Sequence, residues 1–309
     1  MPIRTISSAL CLITALAASA VTAADDRVDF NGEAATGIEY DSNVSVIDLD
    51  KNTGRGDAAL LTDLGLGADI TLTEAVALKL GYDWSQTRHQ DFSDFDLSMH
   101  KASAALKYDA GIVDTGLALH YVDAQLGGDD FLEMRRFSPS LAKLFGEHFY
   151  LRGAYVRADK HHRTDGGRSA VNDGLAADAF WFLDGPGRYL ALGLLIADEN
   201  AANDDFDYAG QRLKLTYAQR IEASGLDVEL KFRLQLERRD YRQLLESSFF
   251  ATDPSRRADE RQRAALLLDV PFNEWLAVKG GIEYARNVSN LASADFDEVS
   301  YSARLAAAF

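Results

Sequence analysis

Ala58-Ala59-Leu60-Leu61-Thr62-Asp63-Leu64-Gly65-Leu66-Gly67-Ala68-Asp69-Ile70-Thr71-Leu72 alternates with a period of two. Ala58, Leu60, Thr62, Leu64, Leu66, Ala68, Ile70 and Leu72 share one parity; Asp63, Gly65, Gly67, Asp69 and Thr71 share the other. Successive side chains of a β-strand point to opposite faces, so the pattern predicts an extended strand with one apolar and one polar face. Its length exceeds the usual soluble strand of about 5 or 6 residues and suits a tilted membrane crossing of about 9 to 11.

The same alternation recurs along the chain. Leu226, Val228, Leu230, Phe232, Leu234 and Leu236 alternate with Asp227, Glu229, Lys231, Arg233, Gln235 and Glu237. Strands are predicted near 28–45, 58–72, 76–85, 98–108, 112–122, 131–144, 149–158, 169–183, 189–197, 207–221, 226–237, 262–270, 275–286 and 298–309. The connections alternate between tight turns and longer loops, the latter near 46–57, 86–97, 123–130, 159–168, 198–206, 238–261 and 287–297. Short periplasmic turns, longer extracellular loops and an even strand count are the pattern of a bacterial outer-membrane barrel. The fold class predicted is all-β, a closed antiparallel transmembrane β-barrel of about 14 strands, because a sheet in hydrocarbon satisfies its backbone only by closing.

At the start, Arg4 precedes an apolar run from Ala9 to Ala20, and Val21-Thr22-Ala23 supplies small residues before Asp25 and Asp26. That reads as a secretory signal peptide over 1–23, with the barrel over 24–309 and no plug module before the first strand. Cys11, the only cysteine, follows Leu10 rather than a small residue, so a lipid anchor is not expected there. No stretch approaches 18 consecutive apolar residues, which excludes helical spans. The net charge of −16, or −17 once Arg4 is removed, argues against nucleic acid as a partner. A hydrophobic content of 47% is ample for a folded chain.

Closure assigns Lys79, Lys101, Lys107, Asp114, Arg152, Asp178, Arg212, Lys214, Lys231, Arg233, Lys279, Glu283 and Arg304 to the lumen. Aromatics near strand ends, including Tyr40, Tyr82, Trp84, Tyr121, Trp181, Tyr189 and Trp275, fit interfacial girdles facing outer-membrane lipid. A lumen of this size lies between a side-chain-filled barrel and an open pore. The long charged segment Arg238–Arg261, with Phe249-Phe250, is the expected plug, against the alternative of a free extracellular loop. No H-E-x-x-H, G-x-S-x-G or P-loop occurs, so neither catalysis nor a cofactor is expected. His161-His162 and the group His89, Asp91, Asp94 and Asp96 read as solvated loops before they read as metal ligands. His100, His120 and His148 are the bases a barrel hydrolase would draw on, but Asp114 stands too far along the strand to orient His120.

The last strand carries Val299, Tyr301, Ala303, Leu305, Ala307 and terminal Phe309 on one face. With Tyr301 and Phe309 it resembles the C-terminal signal read by the barrel-assembly machinery of outer membranes. Gly37-Ile38-Glu39-Tyr40-Asp41-Ser42-Asn43-Val44 and Ile282-Glu283-Tyr284-Ala285-Arg286-Asn287-Val288-Ser289-Asn290 resemble stretches in the barrel domain of the surface lipoprotein assembly modifiers. The resemblance implies lipoprotein cargo exported to the cell surface. Members typically place a tetratricopeptide-repeat domain before the barrel, and none is read here, so cargo capture would need a separate periplasmic partner. The expected function is an outer-membrane conduit assisting such export. The alternatives are a porin-like diffusion channel and a sealed barrel whose extracellular loops bind a partner.

Overall fold

A computed structural model describes residues 27–244 and 256–309; the expected signal peptide and Phe249-Phe250 lie outside them. Fourteen strands follow one another around the barrel: β1 Val28–Asp41, β2 Asp57–Thr73, β3 Val76–His89, β4 Leu97–Asp109, β5 Asp114–Leu126, β6 Asp129–Phe145, β7 Phe149–His162, β8 Ala170–Asp184, β9 Arg188–Ala201, β10 Tyr208–Ala223, β11 Leu226–Leu244, β12 Arg256–Pro271, β13 Leu276–Ser289 and β14 Phe296–Ala308. Every strand pairs antiparallel with its sequence neighbour, and β14 returns to β1 to close the barrel. At the seam, the Phe309 N–H donates to the Gly32 carbonyl and the Gly32 N–H donates to the Phe309 carbonyl. The Phe309 ring lies over Gly32, where any Cβ would collide with it.

The parity read from sequence sorts the two faces. Phe30, Ile38, Leu66, Leu80, Leu119, Leu175, Leu194, Leu266 and Ile282 are exposed on the outside. An apolar band this continuous on a closed sheet is a lipid-facing surface. The opposite parity carries most of the ion pairs.

Strands run 13 to 19 residues and project beyond the band at the loop end. There the outward residues turn polar: Arg157 and Tyr155 share Asp173, and Asp198, Arg238 and Asp240 follow the leucines. Strand therefore takes up residues expected in two of the loops. The predicted loop 123–130 is a two-residue turn at Gly127-Gly128, with φ of +62° and +90°, the left-handed pair that a tight hairpin of matching twist requires. Of the expected plug Arg238–Arg261, residues 238–244 belong to β11 and 256–261 to β12, so the charges on those residues belong to the wall; 245–255 lie outside the described residues.

Candidate functional site: the strapped lumen

The segment between β1 and β2 is what crosses the mouth. After Asp41 the chain leaves the wall, forms a two-stranded ribbon, Ser45-Val46 against Lys51-Asn52, and a single 3-10 turn, Ile47–Leu49. Asn43 anchors its base, donating to the Asp297 carbonyl and accepting from the Gly54 N–H. Val44 is only 1% exposed beneath it. At the tip Asp50 takes a left-handed conformation, φ +54°, which aims its carboxylate at two arginines from different sides of the barrel.

Arg257 of β12 donates to both Asp50 oxygens, Nη2–Oδ1 2.6 Å and Nη1–Oδ2 3.0 Å. Arg168, from the loop joining β7 to β8, donates to Asp50 Oδ2 at 2.8 Å and to the Asp48 carbonyl at 2.8 Å. In barrel order the β7–β8 loop lies far round the ring from β1 and β2, so the segment is a strap spanning the mouth. Arg257 is 1% exposed, stacked on the Tyr241 ring and also held by Asp259, itself fixed by Ser289. A buried charge needs such full partnering. Burial alone would push the Asp50 carboxyl up, but the hydrogen bonds from Arg257 and Arg168 outweigh it and hold it below the usual carboxylate range.

Below the strap the wall is laced with ion pairs. Lys79 meets Asp69 at 2.7 Å, Lys101 meets Asp83 at 2.6 Å, and Lys107 meets Asp114 at 3.0 Å. Arg152 donates to Asp178 at 2.9 Å, Arg212 to Glu237 at 2.8 Å and Arg263 to Glu283 at 3.0 Å. Arg304 reaches Asp63 at 3.3 Å, Lys279 reaches Glu33, and Lys231 meets Glu229. Lys214 and Arg233 share the inward parity and hold no ion pair among the described residues. The charges are sorted around the ring. On β1 to β3 the inward Glu33, Glu39, Asp63, Asp69 and Asp83 outnumber Lys79, whereas the cavity bounded by β6 to β11 is lined by Arg136, Arg152, Lys160, Arg212, Lys214 and Arg239 against Asp178 and Glu237.

Several inward residues escaped the sequence reading. Arg136 was missed because 131–144 carries charge on both parities, Glu133 and Arg135 against Arg136; the outward exposure of Phe137 and Leu141 settles the face. Tyr189, expected in the outer girdle, instead faces inward and packs with Phe180 and Phe182, with Tyr150 edge-on to Phe180. The register explains the correction, since Tyr189 shares the parity of Gly193 and Glu199. His100 points outward and meets the Tyr82 hydroxyl at 2.8 Å, whereas His120 shares the inward parity of Asp114. His162 packs edge-on to Phe131, and Asp96 is occupied by the His89 backbone and ring. Among the described residues no three His, Cys, Asp or Glu side chains form a metal-sized group.

No known protein-family profile matches the chain, and neither does any curated protein. Solved structures do resemble it. An anion-selective porin from Comamonas acidovorans is similar at a TM-score of 0.52 and 10% identity, over 91% of this chain and 99% of the porin. OmpT, an outer membrane protein of Vibrio cholerae, is similar at 0.52 and 9%, over 94% and 100%. OmpF of Salmonella typhi, in complex with daunomycin, is similar at 0.50 and 10%, over 91% and 97%. At these identities the likeness is one of fold, and with the apolar band it makes this chain an outer-membrane β-barrel.

Proposed function

We propose that the protein is an outer-membrane conduit for small charged solutes, its mouth narrowed by the strap between β1 and β2. The observation that carries this reading is the sorting of lumenal charge between a carboxylate-rich wall on β1 to β3 and an arginine-lined cavity bounded by β6 to β11. Ion-paired, water-facing side chains on opposing walls create a transverse field that orients a passing ion or dipole, a use of charge with no purpose in a sealed apolar core. The porin-like neighbours share the fold on which such conduits are built. A strap bolted to Arg257 and Arg168 favours small solutes over a folded lipoprotein, so the cargo implied by the family resemblance is not carried into this reading. Planar-bilayer recording of the full purified chain tests it: steady conductance is expected from the protein. Silence from both the wild type and a variant with the strap released, Asp50→Asn, would overturn it.

A further inference from the structure

Arg212 and Lys214 are successive inward residues of β10, and Arg136 of β6 lines the same cavity of about 440 Å³, a size that holds a small organic solute. Counted by register, Arg136 stands three inward rows to the loop side of Lys214. Height in the lumen follows a different rule, because barrel strands lean about 35–45° from the axis. Followed round from β1 to β14 and back, a row climbs toward the loop end. Over the four strand spacings from β6 to β10 it climbs about 12 Å, which offsets most of the roughly 15 Å that three rows span along the axis. Arg136 and Lys214 therefore lie near one level. Their charges meet accordingly: the strongest influences of neighbouring charge on Arg136 are repulsions from Arg152 and Arg212, and on Lys214 repulsions from Arg212 and Arg136.

No carboxylate closes on either cation. Asp178 is taken by Arg152 at 2.9 Å, and Glu237 is shared by Arg212 at 2.8 Å and Arg239 at 2.6 Å. Lys160, on the same cavity, is held by Glu199 at 2.7 Å. Asp178 attracts Arg136 and Lys214, and Glu237 attracts Lys214, only from beyond ion-pair distance. Neither side chain makes an ion pair or a hydrogen bond among the described residues. Arg136 and Lys214 thus add two positive charges that the wall leaves unneutralised, beside an Arg212–Arg239 pair that shares a single carboxylate. Like charges facing one cleft with low-dielectric walls concentrate a counter-ion there, and a dianion neutralises both at once. The planar fork of arginine fits the oxygens of phosphate, and the compact lysine ammonium is a phosphate binder in its own right. Ala158, Ala176, Ala197 and Gly210 line the wall around these cations, so the space before them stays open.

We infer that this cavity binds a phosphate dianion, free or as the terminal group of a small phosphomonoester, between Arg136, Arg212 and Lys214. The inference names the solute class of the conduit and rests on that reading only for the solute's entry. Equilibrium dialysis of radiolabelled inorganic phosphate against the purified full chain at pH 8, where phosphate is mostly dianionic, reads binding without requiring conduction. Saturable binding is expected, with unlabelled phosphate competing at least tenfold better than chloride or acetate. Glycerol 3-phosphate competing better than phosphate itself assigns the site to the ester, and competing less well assigns it to the free ion. Arg136→Met with Lys214→Met is expected to abolish binding. Lys79→Met, which removes a paired cation from the carboxylate-rich wall, is expected to leave it unchanged. The shift in gel mobility between heated and unheated samples checks that each variant is a closed barrel. No saturable phosphate binding, or binding kept in folded Arg136→Met/Lys214→Met, would overturn the site. Equal competition by chloride or acetate, or an equal loss in Lys79→Met, would overturn it too, as a diffuse field with no site. Steady conductance in any of these cases would leave the conduit reading standing, whereas phosphate binding by a barrel that never conducts would sink that reading and keep the site.

Discussion

Asp50→Asn removes the negative charge on which the strap closes and leaves its volume nearly unchanged. Three hydrogen bonds from two guanidinium groups converge on this carboxylate. Hydrogen bonds to charged groups contribute about 1.5–3 kcal/mol each. The amide keeps one accepting oxygen, and Arg257 keeps Asp259, so the strap loses about two such bonds at the lower end of that range, about 3 kcal/mol. That shifts the balance between closed and open strap by roughly 100-fold. In single-channel recordings the variant is expected to spend far more time in its highest-conductance level. Hydrogen exchange over residues 43–52 should accelerate by a similar factor, whereas the barrel strands should not change. Unchanged conductance together with unchanged exchange in those residues would refute the claim that Asp50 closes the mouth.

Three further outcomes follow from the same geometry. Because the Asp50 carboxyl is held below the ordinary value near 3.9, the strap's stabilisation is fully present above that value and is lost only as pH falls through the lowered one. The difference in conductance between the wild type and Asp50→Asn should thus stay constant from pH 8 to 5 and shrink only below about 4, and a difference that vanishes near pH 6 would contradict the assignment. Gly32→Val drives a side chain into the Phe309 ring and should lower the stability of the seam by about 1–3 kcal/mol, read as a lower midpoint of heat-modifiable gel mobility. Leu194→Arg, placing a charge in the lipid-facing band, should cost about 2–4 kcal/mol in folding titrations from lipid vesicles, and a cost below 1 would mean that Leu194 does not face hydrocarbon.

The strand number and the outward face of most strands were legible because a bilayer imposes period two on every crossing; the strand near 131–144, charged on both parities, was the exception. The strand ends were not legible. Predicted strands stop at 158, 197 and 237, where Arg157, Asp198 and Arg238 end the apolar parity, yet the strands run on to His162, Ala201 and Leu244. Past the membrane both faces meet water, the alternation vanishes, and a hydrogen-bonded wall reads as a loop. The same effect turned the Gly127-Gly128 hairpin into an eight-residue loop and put the strand residues 238–244 and 256–261 into the expected plug. The strap was hidden for another reason: Asn43 and Val44 extend the apparent first strand to 45, 46–57 reads as one more loop, and nothing local says that Asp50 meets Arg257. Parity was enough to propose the lumenal charges, but their pairing was not legible, since each pair depends on register between strands. Tyr189 shows the limit of reading aromatics by position alone.

The contact between Asp50 and Arg257 joins residues 207 positions apart, one near the first hairpin and the other near the last. Loops that long close late, after the local hairpins that lie between them have formed. During insertion the early strands must therefore carry an unfastened strap, and Arg257 must wait for it in water, until β12 takes its place beside β13 and the seam to β1 shuts. The latch is thus also a record of completed assembly: a barrel halted with its first and last strands unpaired would leave residues 43–52 open to protease, and a finished one would not.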